Sequence, residues 1–458
     1  MQNRSVGNRI TEGVIWKQIL IYFFPILLGA FFQQMYNTVD TIIVGRFVST
    51  QALAATGAAG PMISLLNGFF VGLSTGATVL LSQFFGSRDS QGVSRALHTG
   101  IGLSVVLGLI ITVAGIGAGP GILELMQTPE NCLAEAKLYT VVYFSGAIAS
   151  MIYNMGAGIL RAMGDSKKPT IFLIVACGIN ILADLLFVVV FHMGVAGAAL
   201  ATVMSQIISA VLVLRELFRL PEEMSLRVQK IRLDRKLLLR ILAIGVPAGL
   251  QFITFDLANL LIQSGVNTFG DITVAAWTAL GKTDSVTWMA LGALGVSITT
   301  FVGQNFGAQK YDRIRKAVWI CMGMGLILVG TLSTLIVLLR YFILGIYTTD
   351  AQVIASGAQI VVWVVPYAVI FVPVEVFAGT MRGTGYSVMP TVITCMCVCV
   401  FRVIWLFTVV EKYHTVRMMS LCYPISWVLA ATVFFIAYFR GNWLRKRIAA
   451  CSLAPEQR

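Results

Sequence analysis

The sequence predicts an all-α polytopic membrane protein whose transmembrane helices form two pseudo-symmetric six-helix bundles. One observation is composition: 57% of the 458 residues are hydrophobic and only 12% are charged, against about 25% charged in soluble domains. Twelve long apolar stretches are the second, and an internal repeat is the third. Because so little polar surface remains to coat a folded domain, a soluble enzyme, a disordered chain and a nucleic-acid-binding protein are poor interpretations. The net charge of +13 is better explained by basic residues in cytoplasmic loops than by binding to nucleic acid.

The apolar stretches are separated by short segments rich in charge, Gly or Pro. A spanning helix needs about 20 apolar residues, whereas barrel strands would alternate over about ten. The first stretch is too long for a cleavable signal peptide, so we expect a retained helix. The twelve stretches lie near 14–36, 52–82, 93–117, 133–158, 169–191, 194–214, 238–265, 274–302, 316–339, 352–380, 389–410 and 418–440.

Lysine and arginine predict the orientation. The termini and the even-numbered loops carry 26 of these residues and the odd-numbered loops carry five. Since basic residues collect on the cytoplasmic side, both termini are predicted to be cytoplasmic. The predicted organisation is an N-lobe over 1–214 with six helices, a charged cytoplasmic linker over 215–240, a C-lobe over 241–440 with six more, and a cytoplasmic tail over 441–458.

The second half of the chain repeats the first at a nearly constant offset in residue number. SQFFGSRD (82–89) aligns with GQNFGAQK (303–310), and LRAMGDSKKPT (160–170) aligns with MRGTGYSVMPT (381–391), both at an offset of 221. Near the start the offset is 222, where Pro25 matches Pro247. Six spans per half give both halves the same orientation, and such bundles usually enclose a cavity and rock about it. Gly68, Gly72 and Gly76 recur every four residues, which predicts close helix packing.

Five carboxylates fall inside the predicted spans. Each costs at least a few kcal/mol in hydrocarbon, so we expect each to face a cavity or a partner. Asp40 ends a polar run on the first span. A helix end emerging into water is the alternative, but residues 41–44 continue the apolar stretch, which disfavours it. The five are Asp40, Asp184, Asp256, Asp284 and Glu375, and the polar run contains Gln33, Gln34, Tyr36, Asn37 and Thr38.

Asn180 and Asp184 are four residues apart and share one helical face, with Thr202 on the next span. Their oxygens suit a proton or a small hard cation, and an interhelical hydrogen-bond network is the alternative. The second half has its own charged set, for which structural salt bridges are the alternative. That set contains Asp256, Lys282, Asp284, Glu375 and Arg402, and Glu375 aligns with Asn154.

Signals for other chemistry are weak. The sequence has no Walker motif and no nucleophile–base pair, so we predict neither an enzyme nor a cofactor. The eight cysteines imply no disulfide framework and are interpreted as apolar filler. We expect a monomer whose partners are small molecules and membrane lipids.

These motifs resemble the multidrug and toxic compound extrusion (MATE) transporters over essentially the whole chain. The resemblance rests on the run Pro25…Asp40…Gly45, on SQFFGSRD and LRAMGDSKKPT, and on FVGQNFGAQKYDR (301–313). It is strongest to the bacterial DinF-like and MepA-like branches. It implies rocker-switch antiport in a bacterial cytoplasmic membrane, with organic cations or drugs exported in exchange for H⁺ or Na⁺.

The resemblance also implies site residues. In DinF-like members an ion-coupling network has an Asp on the first span, an Asn and Asp four apart on the fifth, and a Thr on the sixth. Asp40, Asn180, Asp184 and Thr202 match that pattern and could hold Na⁺. Asp256 and Glu375 resemble the C-lobe acids of NorM-like members. The candidates for a substrate cavity or second coupling site are Gln33, Gln34, Tyr36, Asn37, Asn154, Asp256, Lys282, Asp284, Glu375 and Arg402.

Three alternative functions stay open. A lipid-linked oligosaccharide flippase of the same superfamily also has paired bundles, but it lines its cavity with many cations, and here only Lys282 and Arg402 are intramembrane. A dedicated natural-product exporter is the second alternative. A membrane receptor or structural protein is the third, and the duplication with buried acids in both halves disfavours it.

Overall fold

A computed structural model describes residues 9–441 together with Leu444 and Ile448. Throughout these residues the regular structure is helical, and no strand occurs among them. The predicted all-α class is therefore confirmed. Most of the predicted tail (441–458) lies outside the described residues.

Eleven of the described helical segments are long and apolar enough to cross a membrane. The first half contains α1 Ile15–Phe47, α2 Thr50–Gly86, α3 Ser90–Leu125, α4 Glu130–Ser145, α5 Ala147–Ala162, α6 Lys167–Asp184 and α7 Gly194–Phe218. The second half contains α8 Arg235–Asn267, α9 Asp271–Gly307, α10 Tyr311–Leu338, α11 Arg340–Tyr347, α12 Ala351–Val364, α13 Phe371–Gly383, α14 Val388–Thr394, α15 Phe401–Trp405, α16 Glu411–Tyr413 and α17 Val416–Arg440.

The predicted span at 133–158 is divided between two helices. α4 and α5 have 16 residues each and are interrupted at Gly146. A β-carbon on Gly146 would lie 2.9 Å from both the Val203 Cγ2 and the Gln206 Oε1 atoms of α7. Glycine therefore allows α7 to approach the interruption closely.

The two halves share backbone irregularities as well as sequence. Three pairs of residues adopt positive φ at matching places: Arg88 and Gln309, Gly164 and Gly385, and His192 and His414. The first two pairs correspond at an offset of 221 and the third at an offset of 222. The structure thus reproduces the duplication. Relative to the first half, the second half has one extra residue between Gly385 and His414.

A π-helical segment accounts for that insertion. α6 is followed by one π segment (Leu185–Val190), whereas the corresponding part of the second half has two, Cys395–Val400 and Leu406–Val410. A π turn holds more residues than an α turn, so a π bulge absorbs an inserted residue without breaking the helix. Beyond Cys395–Val400 the two halves therefore correspond at an offset of 222.

The chain forms two compact units. The first contains Phe24–Gly249, and the second contains Arg9–Phe23 with the chain from Leu250 onward. Helices α1 and α8 thus each contribute to both units. Phe144, Met151 and Met155 are among the fully buried side chains of the first unit, as Phe377 and Trp427 are in the second.

Within the first unit, α2 and α8 pack along a glycine seam, the positions Gly72, Gly76, Gly245 and Gly249. A β-carbon on Gly76 would lie 2.8 Å from the Gly245 nitrogen, and one on Gly245 would lie 2.9 Å from Leu73 Cα. The opposing atoms belong to the main chain, so the helices can approach this closely only without side chains. The packing role predicted for Gly72 and Gly76 agrees with this seam.

The charged segment that follows α7 is anchored by His98 of α3. The Nδ1 atom of His98 lies 2.6 Å from the Ser94 carbonyl oxygen, and Nε2 accepts a hydrogen bond from the Arg227 main-chain N–H at 3.0 Å. This arrangement requires a neutral imidazole with its proton on Nδ1. Leu226 is buried beside it, so the predicted linker is held against the first unit by both polar and apolar contacts.

Candidate functional site

The most buried acid of the first unit lies on α6. Asn180 and Asp184 are one helical turn apart, and both are 0% exposed. The α-helix changes to the π segment Leu185–Val190 directly after Asp184. Such π segments occur often at functional sites because they turn side chains away from the regular helical positions.

A second carboxylate, that of Asp40 on α1, lies near Asp184. The carboxylates of Asp40 and Asp184 lie close enough to interact electrostatically, and both lie close enough to do so with Tyr139 of α4. Tyr36, one turn before Asp40, interacts electrostatically with it and with Tyr143. The structure therefore brings together two carboxylates that lie on the first and the fifth of the predicted spans.

Several polar atoms of this cluster have no hydrogen-bond partner among the described residues. They are Oδ1 of Asp40, Oδ1 and Nδ2 of Asn180, and both carboxylate oxygens of Asp184. Buried polar atoms are nearly always paired, and a buried carboxylate without a partner is costly. Four of the five atoms are oxygens, which are the donors that a proton or a hard cation such as Na⁺ requires. The residues present thus fit the ion predicted for them.

Thr202 of α7 is buried in the helix that packs against α6. Its hydroxyl donates to the Ala198 carbonyl oxygen at 3.2 Å, which leaves the oxygen lone pairs available as acceptors. The surroundings of these elements are apolar, with Ile43, Val188 and Ala198 in one buried cluster. Apolar surroundings of this kind lower the local dielectric constant and so strengthen electrostatic interactions.

The remaining first-half candidates do not share one environment. Gln33, Gln34 and Asn37 are exposed on α1. Asn154 is half-buried, and its amide donates to the Ser150 carbonyl oxygen at 2.9 Å within α5. The exposed amides could meet a solute, whereas Asn154 is satisfied locally.

The charged residues of the second unit fall into separate environments. Glu375 accepts a hydrogen bond from Arg382 Nη2 at 3.1 Å, and both side chains are largely buried. Lys282 is exposed, whereas Asp284 is buried and accepts from Trp288 Nε1 at 2.6 Å. Half-buried Asp256 lies on α8. Glu375 thus forms an ion pair within α13 with Arg382, which the sequence predicts to lie in a loop after the span 352–380.

Sequence reasoning missed Arg382 and the tyrosines Tyr139 and Tyr143 as site neighbours. For Arg382 a signal existed, because it aligns with Arg161 in the repeat. The tyrosines carried none, since α4 is an ordinary apolar helix with aromatic residues. Across the described part of the chain, no cluster of three His, Cys, Asp or Glu residues could hold a metal ion.

Comparison with known proteins agrees with this architecture. A family model described as MatE matches the chain twice, over residues 25–186 and 247–408. The two matches correspond at an offset of 222, in accord with the duplication.

Individual proteins match over most of the chain. The probable multidrug resistance protein YoeA of Bacillus subtilis is 26% identical over 98% of each chain. The multidrug export protein MepA of Staphylococcus aureus is 21% identical over 81% of this chain and 82% of its own. A solved MOP superfamily transporter from Pyrococcus furiosus, described by the reversed polarity of its binding pocket, superposes with a TM-score of 0.88 at 23% identity, covering 98% of this chain and 99% of its own. This last similarity concerns the fold alone.

Proposed function

This chain belongs to the MatE family, and from that premise we propose that it is an antiporter that exports organic cations in exchange for H⁺ or Na⁺. Its relatives include a probable multidrug resistance protein and a multidrug export protein, which supports transport across a membrane as its activity. The proposal extends to twelve spans, with α4 and α5 together forming the fourth, to cytoplasmic termini, and to a bacterial cytoplasmic membrane.

The paired carboxylates Asp40 and Asp184 carry the proposal. The two carboxylates lie close enough to interact electrostatically. Oxygen atoms of both, and of Asn180, have no hydrogen-bond partner among the described residues. An arriving cation neutralises a cluster whose net charge is otherwise costly to bury. Since the ion stabilises only the conformation that encloses it, ion binding can shift an equilibrium between two transporter states.

Coupling follows from the position of these carboxylates. Neutralising Asp40 changes the electrostatics of α1, on which Gln33, Gln34 and Asn37 are exposed. A cationic solute near α1 is attracted while Asp40 is charged and loses that attraction when the ion binds. We propose that ion entry thereby releases the exported cation, and that rocking of the two halves returns the transporter to its inward-open state.

Purified protein in proteoliposomes tests the proposal. Movement of a fluorescent organic cation is followed under an imposed proton gradient and then under a sodium gradient. Wild-type protein should respond to one of them, which names the ion. Asp40→Asn and Asp184→Asn should each reduce coupled transport at least ten-fold, because the amide binds neither ion as a carboxylate does.

The matched control is Asp271→Asn, which removes an exposed carboxylate at the start of α9 and should transport normally. Size-exclusion profiles and circular dichroism confirm that each variant is folded. Coupled transport at the wild-type rate by both site variants would refute the role of the pair. A wild-type protein that moves no cation under either gradient would contradict cation antiport and favour the lipid-linked oligosaccharide flippase or an exporter of one natural product.

A further inference from the structure

Arg402 occupies the place in the second unit that Asn180 occupies in the first. Beyond the π segment Cys395–Val400 the two halves correspond at an offset of 222, as His192 and His414 show. At that offset Arg402 aligns with Asn180, and Leu406 aligns with Asp184. Where the first unit has an acid and an amide, the second has a permanently charged guanidinium.

The guanidinium is buried without an ion pair. Arg402 is 3% exposed, and in the part of the chain that the structure describes, no carboxylate oxygen lies within 4.0 Å of it. Its Nε donates to Ser426 Oγ at 3.0 Å, and its Cζ lies 4.0 Å from the ring centre of Tyr423. Asp284 makes no ion pair with it, although its Oδ2 accepts from Trp288 Nε1 at 2.6 Å and its Oδ1 has no partner among the described residues. A buried charge left without a counter-ion is costly.

Two buried N–H donors, on neighbouring side chains, have no acceptor among the described residues. Arg402 Nη2 is unpartnered among the described residues, and so is Nε1 of Trp427, a side chain that is 0% exposed. The guanidinium carbon lies 5.9 Å from the Trp427 ring centre. The rings of Trp288 and Phe371 pack against Trp427, with centroids 5.9 and 6.3 Å away. A cationic donor, a neutral donor and aromatic rings therefore meet in one buried cluster.

We propose that this cluster, Arg402 with Ser426, Tyr423 and Trp427, is an anion-accepting subsite of the second unit. Its ligand is a small monovalent anion that accepts hydrogen bonds, either the carboxylate of an aromatic organic solute or inorganic chloride. A carboxylate accepts from guanidinium and indole N–H groups by charge-assisted hydrogen bonds, and the aromatic rings provide an apolar surface for the attached group. The subsite does not depend on the cation antiport proposed above, because it uses neither Asp40 nor Asp184.

Ligand-induced stabilisation tests the subsite without any transport assay. Purified protein in detergent is titrated with sodium benzoate, with its uncharged isostere benzamide and with sodium chloride, while its thermal unfolding is followed. A ligand of the native state raises the unfolding temperature saturably as its concentration passes Kd. Wild-type protein should respond to benzoate or chloride and not to benzamide. A response to benzoate alone identifies an organic carboxylate, and a response to chloride alone identifies the inorganic ion.

Variants separate the subsite from general salt effects. Arg402→Gln should abolish the saturable response, whereas Lys316→Gln, which removes an exposed cation of the same unit, should retain it. Trp427→Phe keeps a ring and removes the second donor, so affinity should fall about ten-fold. That variant keeps the test decisive if Arg402→Gln does not fold.

Three results would overturn the proposal. They are a wild-type protein without a saturable response to either anion, a response that survives in Arg402→Gln, and unchanged affinity in Trp427→Phe. The antiport proposal would be unaffected by any of them, because its test follows cation movement and its variants lie in the first unit.

Discussion

Replacing Gly245 with alanine should separate α8 from α2 within the first unit. The new β-carbon would lie 2.9 Å from Leu73 Cα and 3.0 Å from the Leu73 carbonyl oxygen, whereas ordinary van der Waals contact begins at 3.4 Å. Because both opposing atoms belong to the main chain, no side-chain rotation relieves the overlap. The helices must therefore move apart by a few tenths of an ångström to restore ordinary contact.

The cost of that movement follows from the steepness of dispersion forces. A gap of about 0.5 to 1 Å removes a quarter to a half of the attraction between facing atoms. Overpacking of a dense interface typically costs about 1–3 kcal/mol. We expect a loss near the upper end of that range, since the glycine seam has main-chain atoms on both sides.

Thermal unfolding in detergent measures the effect, with Gly60→Ala as the matched control. Gly60 lies on α2, and a β-carbon there would meet nothing within 4 Å. Alanine in a helix is about 1 kcal/mol more favourable than glycine, so the control should unfold at or above the wild-type temperature. Gly245→Ala should unfold clearly below it. An unfolding temperature for Gly245→Ala equal to that of the control would show that the seam is not close-packed and would refute the reasoning.

Two further substitutions test contacts within a single unit. His98→Ala removes the acceptor of the Arg227 N–H, which should lower the free energy of unfolding by about 1–3 kcal/mol. Amide hydrogen exchange in residues 219–234 should become faster, and unchanged exchange there would show that His98 does not anchor the segment. Gly295→Ala would place a β-carbon 2.7 Å from the Glu375 Cδ atom and should break the ion pair with Arg382. We expect an unfolding temperature lower than that of Glu375→Gln, and equal values for the two variants would contradict the predicted overlap.

The sequence predicted the helical class because hydrophobicity over long stretches is a strong signal that local structure cannot override. The spacing of Asn180 and Asp184 likewise placed both on one helix face, and burial of both agrees with that. Asp40 was a different case. Its approach to Asp184 depends on how α1 packs within the first unit, which spacing does not encode, and only the family resemblance suggested it.

Other features had no sequence signal. The interruption at Gly146 depends on contact with Val203, and an isolated glycine within an apolar stretch does not by itself indicate a break. The π segment Cys395–Val400 reads as ordinary apolar helix, because α and π turns accept the same side chains. Alignment at 221 therefore paired Arg402 with Ile181, and only the backbone revealed its correspondence with Asn180.

The pairing of Glu375 with Gly295 has a consequence for how the duplicated halves could diverge. In the first half the matching residues are Asn154 and Ser74, and the Ser74 hydroxyl donates to the Asn154 carbonyl oxygen at 3.0 Å. In the second half any side chain at 295 would overlap the Glu375 carboxylate. The Glu375 carboxylate therefore goes with the absence of a side chain at 295, whereas the Asn154 carbonyl oxygen goes with the serine at 74. Each half is compatible with its own pair of residues, and exchanging only one member, as in Gly295→Ser, would bring a β-carbon against the Glu375 carboxylate.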